Sequence, residues 1–92
     1  MGFEWDEVKR QSNVRQHGID FLDVIPCFFD PQRLVEEDVR RDYGERRFHL
    51  LCPLRGRLYH VTFTERGRNI RIISTRRANQ RERRHYEQRT HH

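Results

Sequence analysis

The stretch RFHLLCPLRGRLYHVTFTERGRNIRIISTRRANQRERRHYEQR, residues 47–89, decides the fold. It holds three runs rich in β-branched, aromatic and aliphatic residues, at 47–52, 57–64 and 69–75, separated by turns that contain Gly56 and Gly67. Runs of strand length divided by glycine turns predict an antiparallel meander, because a tight turn returns the chain beside itself and glycine supplies the left-handed backbone it needs. In the last run Ile70, Ile72 and Ser74 alternate with Arg71, Ile73 and Thr75, which predicts one apolar face and one mixed face. Arg76 and Arg77 follow directly. By this alternation Arg76 shares its face with Ser74, Ile72 and Ile70, an apolar floor beneath a cation. Asn79 with Glu82 three residues later is close to a capping box, with Asn in place of Ser or Thr, and predicts a final helix to about residue 89. That helix has almost no apolar stripe, so it is expected to dock through Tyr86 or to pack on a ligand or partner.

Working back toward the N-terminus, residues 34–39 read as a short edge strand. Before it, Asp20 opens a helix in which Phe21, Val24, Ile25 and Phe28 share one face, and Pro26 predicts a kink or an early stop. An earlier helix at 7–17 has Asp6 as its N-cap and Gly18 as its left-handed terminator. Its apolar content is mainly Val8 and Val14, so most of it is expected to face solvent or a ligand. Phe3 and Trp5 flanking Glu4 read as a short strand. The fold class expected is therefore α+β: one small domain over residues 1–90, a mainly antiparallel sheet, two N-terminal helices and one C-terminal helix. His91 and His92 are read as a purification-tag remnant and carry no functional argument.

At 92 residues the chain has room for one core and no large multidomain enzyme. Leu, Ile, Val and Phe number 23, about a quarter of the chain, which is above the level at which charged sequences stay disordered. A domain this small has a thin stability margin, which makes a dimer or a hetero-oligomer the expected state. No apolar run approaches the roughly 18 residues that cross a bilayer, so the expectation is a cytoplasmic protein without membrane contact. Cys27 and Cys52 lack disulfide or CxxC spacing and are read as small buried apolar residues. His49, Cys52 and His60 do not match zinc-ligand spacing, so neither metal nor cofactor is expected.

The charge is segregated. Residues 1–45 carry 6 basic and 11 acidic side chains, whereas residues 46–92 carry 13 and 3, so a net −5 precedes a net +10. Of the 19 basic residues 18 are Arg, whose planar fork grips phosphate in bidentate fashion. A cationic C-terminal half is the footprint of a polyanion binder, most simply of nucleic acid.

In order, Phe3-Glu4-Trp5-Asp6, His17-Gly18, Thr64-Glu65-Arg66-Gly67, Arg71-Ile72-Ile73-Ser74 with Arg76, Arg77 and Ala78, and Glu82-Arg83 with Tyr86 form a recognisable pattern. The chain resembles the BrnT family of bacterial toxins from Phe3 to about Glu87. The resemblance implies a RelE-like fold and a ribonuclease activity that halts translation. It also implies a BrnA-like antitoxin, encoded alongside, that neutralises the toxin and with it represses their operon, so that operator DNA is met only through the antitoxin. Thr75 stands where these toxins commonly carry Ala, Pro26 interrupts the second helix, and Cys52 and Pro53 occupy a place where small residues or Gly are usual.

RNA cleavage without a metal uses the 2′-hydroxyl as nucleophile. It needs a proton acceptor, a donor for the leaving 5′-oxygen, and cations where charge develops on phosphorus. Arg76 is the favoured phosphate cation; the competing arrangement makes Arg77 catalytic and pairs Arg76 with an acid such as Glu82. His17 is the candidate acid or base, since imidazole titrates near neutrality, or else it only caps its helix. Glu65 is either a general base or a salt-bridge partner of the arginines beside it. Tyr86 either donates a proton, stacks on a base, or docks the last helix. Arg46 and Arg47 follow Gly44 and Glu45, as in a Gly-Glu-x-Arg stretch of the family, and either bind RNA or keep a strand edge soluble; with Arg66, Arg71 and Arg81 they are the candidate RNA-binding cations. His60 and His85 fall outside the motif positions and are read as sheet or surface residues. The other classes open to such a sequence are a non-catalytic nucleic-acid-binding or regulatory protein derived from such a toxin, and a purely structural interaction protein.

Overall fold

The computed structural model of the chain describes residues 1–90; His91 and His92, with the tag assignment made for them, lie outside the described residues. The elements run β1 (Phe3–Glu4), α1 (Glu7–His17), α2 (Phe21–Val24), a 3-10 segment (Ile25–Phe29), β2 (Leu34–Asp38), β3 (Arg47–Leu54), β4 (Arg57–Arg66), β5 (Asn69–Arg77) and α3 (Gln80–Thr90). The five strands form one sheet in the order β1-β5-β4-β3-β2. β1 lies parallel to β5 and every other pairing is antiparallel, so this α+β domain has a mixed, mostly antiparallel sheet.

Local chemistry sets the helix ends. The Asp6 carboxylate accepts the backbone N–H groups of Val8 and Lys9 at 2.9 and 3.2 Å, and Gly18, at φ 69°, closes α1 with its N–H on the Val14 carbonyl. Asn13 is the buried residue of α1. Its side-chain amide donates to the Thr75 and Ile19 carbonyls at 2.8 and 3.0 Å and accepts the Thr75 N–H at 3.1 Å, which pins the helix to β5 without an apolar stripe. Asp20 and Asp23 form a capping box at α2. Pro26 then falls in the first turn of the 3-10 segment, where its missing N–H costs nothing, so the interruption is a change of helix type rather than a break.

The helices before β2 cover one face of the sheet. Ile19, Phe21, Val24, Cys27 and Phe28 pack there on Leu50, Cys52, Val61, Phe63 and Ile72, all under 9% exposed. Phe28 meets Phe63 edge-on at 5.0 Å, and Phe48 stacks on Phe63 at 5.4 Å. Both cysteines are buried and free.

Among the described residues the opposite face is covered only along its β2 side, by α3. The Tyr86 hydroxyl donates to the Gln32 carbonyl at 2.6 Å, and the Ala78 N–H bonds the Leu58 carbonyl at 2.8 Å, which fixes both the course of α3 and the exit of β5. Register shows which residues share this face: Leu51 opposes His60, His49 opposes Thr62, Thr62 opposes Ser74, and His60 opposes Arg76.

One expectation is corrected here. The register slips between Thr62 and Phe63, so that Thr62 pairs with Ser74 but Phe63 pairs with Ile72, leaving Ile73 as the extra residue of a β-bulge. The extra residue exchanges the faces. Ile70 and Ile72 belong to the core, whereas Ser74 and Arg76 point to the other side, so the floor beneath Arg76 is His60 and Thr62 rather than isoleucine.

Candidate functional site

Between α3 and the uncovered sheet face lies a cleft of about 460 Å³. His49, His60, Thr62 and Arg76 form its floor, Glu82 and His85 its wall on α3, and Glu36, Arg40 and Arg81 its rim.

At its centre the Arg76 guanidinium grips Glu82 with both terminal nitrogens, Nη1 to Oε1 at 2.8 Å and Nη2 to Oε2 at 2.9 Å. Nη1 also donates to the Arg77 carbonyl at 3.2 Å. Glu82 is held from a third side, because Oε1 accepts the Asn79 N–H at 2.9 Å while Asn79 Oδ1 accepts the Glu82 N–H at 2.8 Å. The capping box of α3 and the ion pair of the cleft therefore share one carboxylate. Burial alone would raise the Glu82 pKa, but Arg76, the Asn79 N–H and the neighbouring His60 outweigh it and bring it down to about 2.

The His60 side chain is 12% exposed, with Nε2 3.6 Å from Glu82 Oε2 and its ring 5.3 Å from that of His49. The Thr75 hydroxyl bonds its carbonyl at 3.1 Å. Burial lowers the His60 pKa to about 4; Glu82 opposes the shift, and Arg76, His49 and Arg40 add to it. The ring is accordingly neutral at pH 7. Across the cleft, His85 Nε2 lies 2.6 Å from Glu36 Oε1, and Arg89 approaches the same carboxylate at 3.9 Å.

The same sheet face continues past the cleft to a second cationic row, where Arg47, Thr64 and Arg71 are register neighbours. Arg71 bonds Glu4 at 2.9 Å; Arg47 sits over the Tyr43 ring at 4.3 Å, and Glu45 lies 3.5 Å from Arg47 and 3.6 Å from Arg66. The Arg47 Nε is buried without a hydrogen-bond partner among the described residues.

Of the residues singled out from sequence, Arg76 and Arg81 meet in the cleft, and Arg47, Arg66 and Arg71 gather at the far end of the same face. Arg46 pairs with Glu37 at 3.0 Å and lies over Phe48 at 5.2 Å, on the helix-covered side. Arg77 is exposed beside Tyr59, with no ion pair among the described residues, and the pairing of Arg76 with Glu82 is present. Tyr86 docks α3 on Gln32. His17 is exposed at the end of α1, over the core face, and Glu65 is exposed near the β4–β5 turn. From His60 to Glu65 is about 16 Å at ~3.3 Å per strand residue.

Sequence reasoning passed over His49, His60, His85 and Glu36. A signal for the first two was present: in β3 and β4 they alternate with the core residues Leu50, Val61 and Phe63, which places both on the non-core face. No comparable signal marks Glu36 and His85, which are brought together by the docking of α3.

Among the described residues no group of three or more His, Cys, Asp or Glu side chains is arranged to hold a metal ion, and no helix is long and apolar enough to cross a membrane. No curated protein matches the chain. Residues 5–82 match the family described as ribonuclease toxin, BrnT, of type II toxin–antitoxin systems. That match spans most of the chain, from just after β1 through β2, β3, β4 and β5, the bulge and the Arg76–Glu82 pair, and the chain belongs to the BrnT family of ribonuclease toxins.

Proposed function

We propose that this toxin is a metal-independent endoribonuclease of RelE-like design that cuts RNA in the cleft beside Arg76 and so halts translation in the cytoplasm. The observation that carries this reading is the way Glu82 presents Arg76. A guanidinium has five N–H donors. Glu82 takes one from each terminal nitrogen and the Arg77 carbonyl takes another from Nη1, which leaves Nε–H and the outer Nη2–H. These two point the same way, forming the side-on fork that matches two phosphate oxygens. Arg76 is thus held at one edge and open at the other, so a phosphodiester can be gripped without breaking the ion pair.

The rest of the face fits an extended polyanion. Arg81 stands at the rim, and Arg47, Arg66 and Arg71 continue the cationic track, with the Tyr43 and Arg47 pair offering a surface on which a base can stack. His17 and Glu65 lie off this track, and the reaction proposed here runs without them.

The acidic N-terminal half is the counter-surface for a BrnA-like antitoxin, which would neutralise the toxin in a hetero-oligomer and supply its link to operator DNA. The test is cleavage of a labelled RNA by the purified chain in EDTA, with Arg76→Ala as control. Fragments ending in 2′,3′-cyclic phosphate, absent from the control, are expected. A chain that cuts neither free RNA nor RNA on translating ribosomes would instead be a binding protein derived from such a toxin.

A further inference from the structure

Of the three histidines that line the cleft, His60 on the sheet and His85 on α3 face it from opposite sides. Each is set beside a carboxylate: His60 Nε2 lies 3.6 Å from Glu82 and His85 Nε2 lies 2.6 Å from Glu36. Arg76, with its open phosphate fork, stands in register with His60. Resting on the ribonuclease reading above, we infer that His60 and His85 are the acid–base pair of cleavage, His60 taking the proton of the attacking 2′-hydroxyl and His85 giving one to the leaving 5′-oxygen.

The step balances without a co-reactant. The 2′-oxygen bonds to phosphorus as its proton passes to the unprotonated nitrogen of His60, and the P–O5′ bond breaks as the 5′-oxygen takes the proton of the His85 imidazolium. The products are a 2′,3′-cyclic phosphate and a 5′-hydroxyl, and exchange with solvent returns both rings to their starting states.

The surroundings suit the two roles. His60 is 12% exposed and faces Arg76 on β5, His49 on β3 and Arg40 beyond β2, three groups that disfavour its charged form, against Glu82 on α3. It therefore enters the reaction as the proton-accepting ring. As the proton arrives, Glu82 and the phosphate are the anions that offset the new charge. His85 is 43% exposed, open to solvent for reprotonation, and its short contact with Glu36 fixes the ring. Arg89, on its own helix, is the opposing cation.

The test is the pH dependence of kcat/KM for RNA cleavage in EDTA by the parent, His60→Gln and His85→Gln. The parent is expected to show a bell-shaped profile. Each folded variant should lose at least 100-fold in rate; His60→Gln should lose the acidic limb and His85→Gln the alkaline one. Either variant, folded, that keeps the parent's rate and both limbs overturns the pair. Should His60→Gln fail to fold, the parent's acidic limb is compared with the titration of the His60 ring followed by NMR, and a limb more than about one pH unit away overturns the assignment. A parent that cuts while Arg76→Ala does not, with histidine variants as active as the parent, sinks the pair and leaves the ribonuclease reading standing. A parent inactive on free RNA and on ribosomes overturns both.

Discussion

Asn79 and Glu82 cap each other across the first turn of α3, backbone N–H to side chain in both directions at 2.9 and 2.8 Å, and the same Glu82 carboxylate grips Arg76. A helix that buries no residue fully is thereby tied to the sheet by a carboxylate that both caps the helix and grips Arg76. Glu82→Ala is expected to cost about 2–3 kcal/mol, since it removes a cap and leaves a half-buried guanidinium unpaired. Urea denaturation of the variant checks the stability. A stability within 0.5 kcal/mol of the parent, roughly the scatter of surface substitutions, would show that the cap and ion pair do not anchor α3.

Charge alone does not make a phosphate fork. Arg76→Lys keeps a cation near Glu82 but has neither the paired Nε–H and Nη2–H edge nor a second edge for the carboxylate. It is expected to lose about 100-fold or more in cleavage, the scale seen when one donor to a developing oxyanion is removed. Arg76→Ala is expected to abolish growth inhibition and also to lower stability, because Glu82 is left partly buried without its partner. Equal cleavage by parent and Lys variant would show that Arg76 acts only as a point charge.

Acid should loosen the domain in two stages. His60 has a folded pKa of about 4 against 6.5 unfolded, so the stability tied to its neutral form is complete above 6.5 and is lost as pH falls from there to 4. The full loss is about 3 kcal/mol at 1.36 kcal/mol per pKa unit. Glu82, at about 2 against 4.5 unfolded, contributes stability that is present above 4.5 and lost on further descent. Unfolding free energies between pH 7 and pH 4 should therefore fall in the parent and change much less in His60→Gln. Parallel curves for the two proteins would place the titrating group elsewhere.

The second cationic row should act on affinity rather than chemistry. Arg47→Ala, Arg71→Ala and Arg66→Ala are each expected to weaken RNA binding and to reduce the slope of log K against log salt by about 0.7, the value for one single-strand phosphate contact. Arg46→Ala, on the other side of the sheet, should leave the slope unchanged. Filter binding over a salt series separates them.

How far the sequence could be read depended on whether a feature was local. Asp6 and Gly18 bounding α1, Asp20 opening α2, the glycine turns of the meander and the Asn79–Glu82 cap are short-range chemistry, and each appears where the residues place it. Arg76 beside Glu82 was likewise within reach, as neighbours across a strand end and a first helical turn. The cleft was less legible. Its histidines come from β3, β4 and α3, its carboxylates from β2 and α3, and nothing in local spacing says that α3 docks on the face opposite α1. Asn13, a polar residue inside a solvent-facing helix, carries no mark of its bonds to Thr75.

The bulge at Ile73 was the decisive misreading, and it is also a test. Strict alternation puts Arg76 with Ile70 and Ile72; one extra residue lets β5 place its first half in the core and turn its second half toward the cleft. Deleting Ile73 removes only that extra residue: Phe63 can still pair with Ile72 and Thr62 with Ser74, so in a regular ladder Ile70, Ile72 and Thr75 keep the core while Ser74 and Arg76 keep the cleft. What the deletion takes away is the local bend and added twist that a bulge gives its strand. Thermal melts followed by circular dichroism should therefore find the deletion variant folded, as should Ile73→Val, which keeps the residue count. A deletion variant that is unfolded would mean that the bend itself, and not only the placing of the two faces, is needed to bring Arg76 to Glu82.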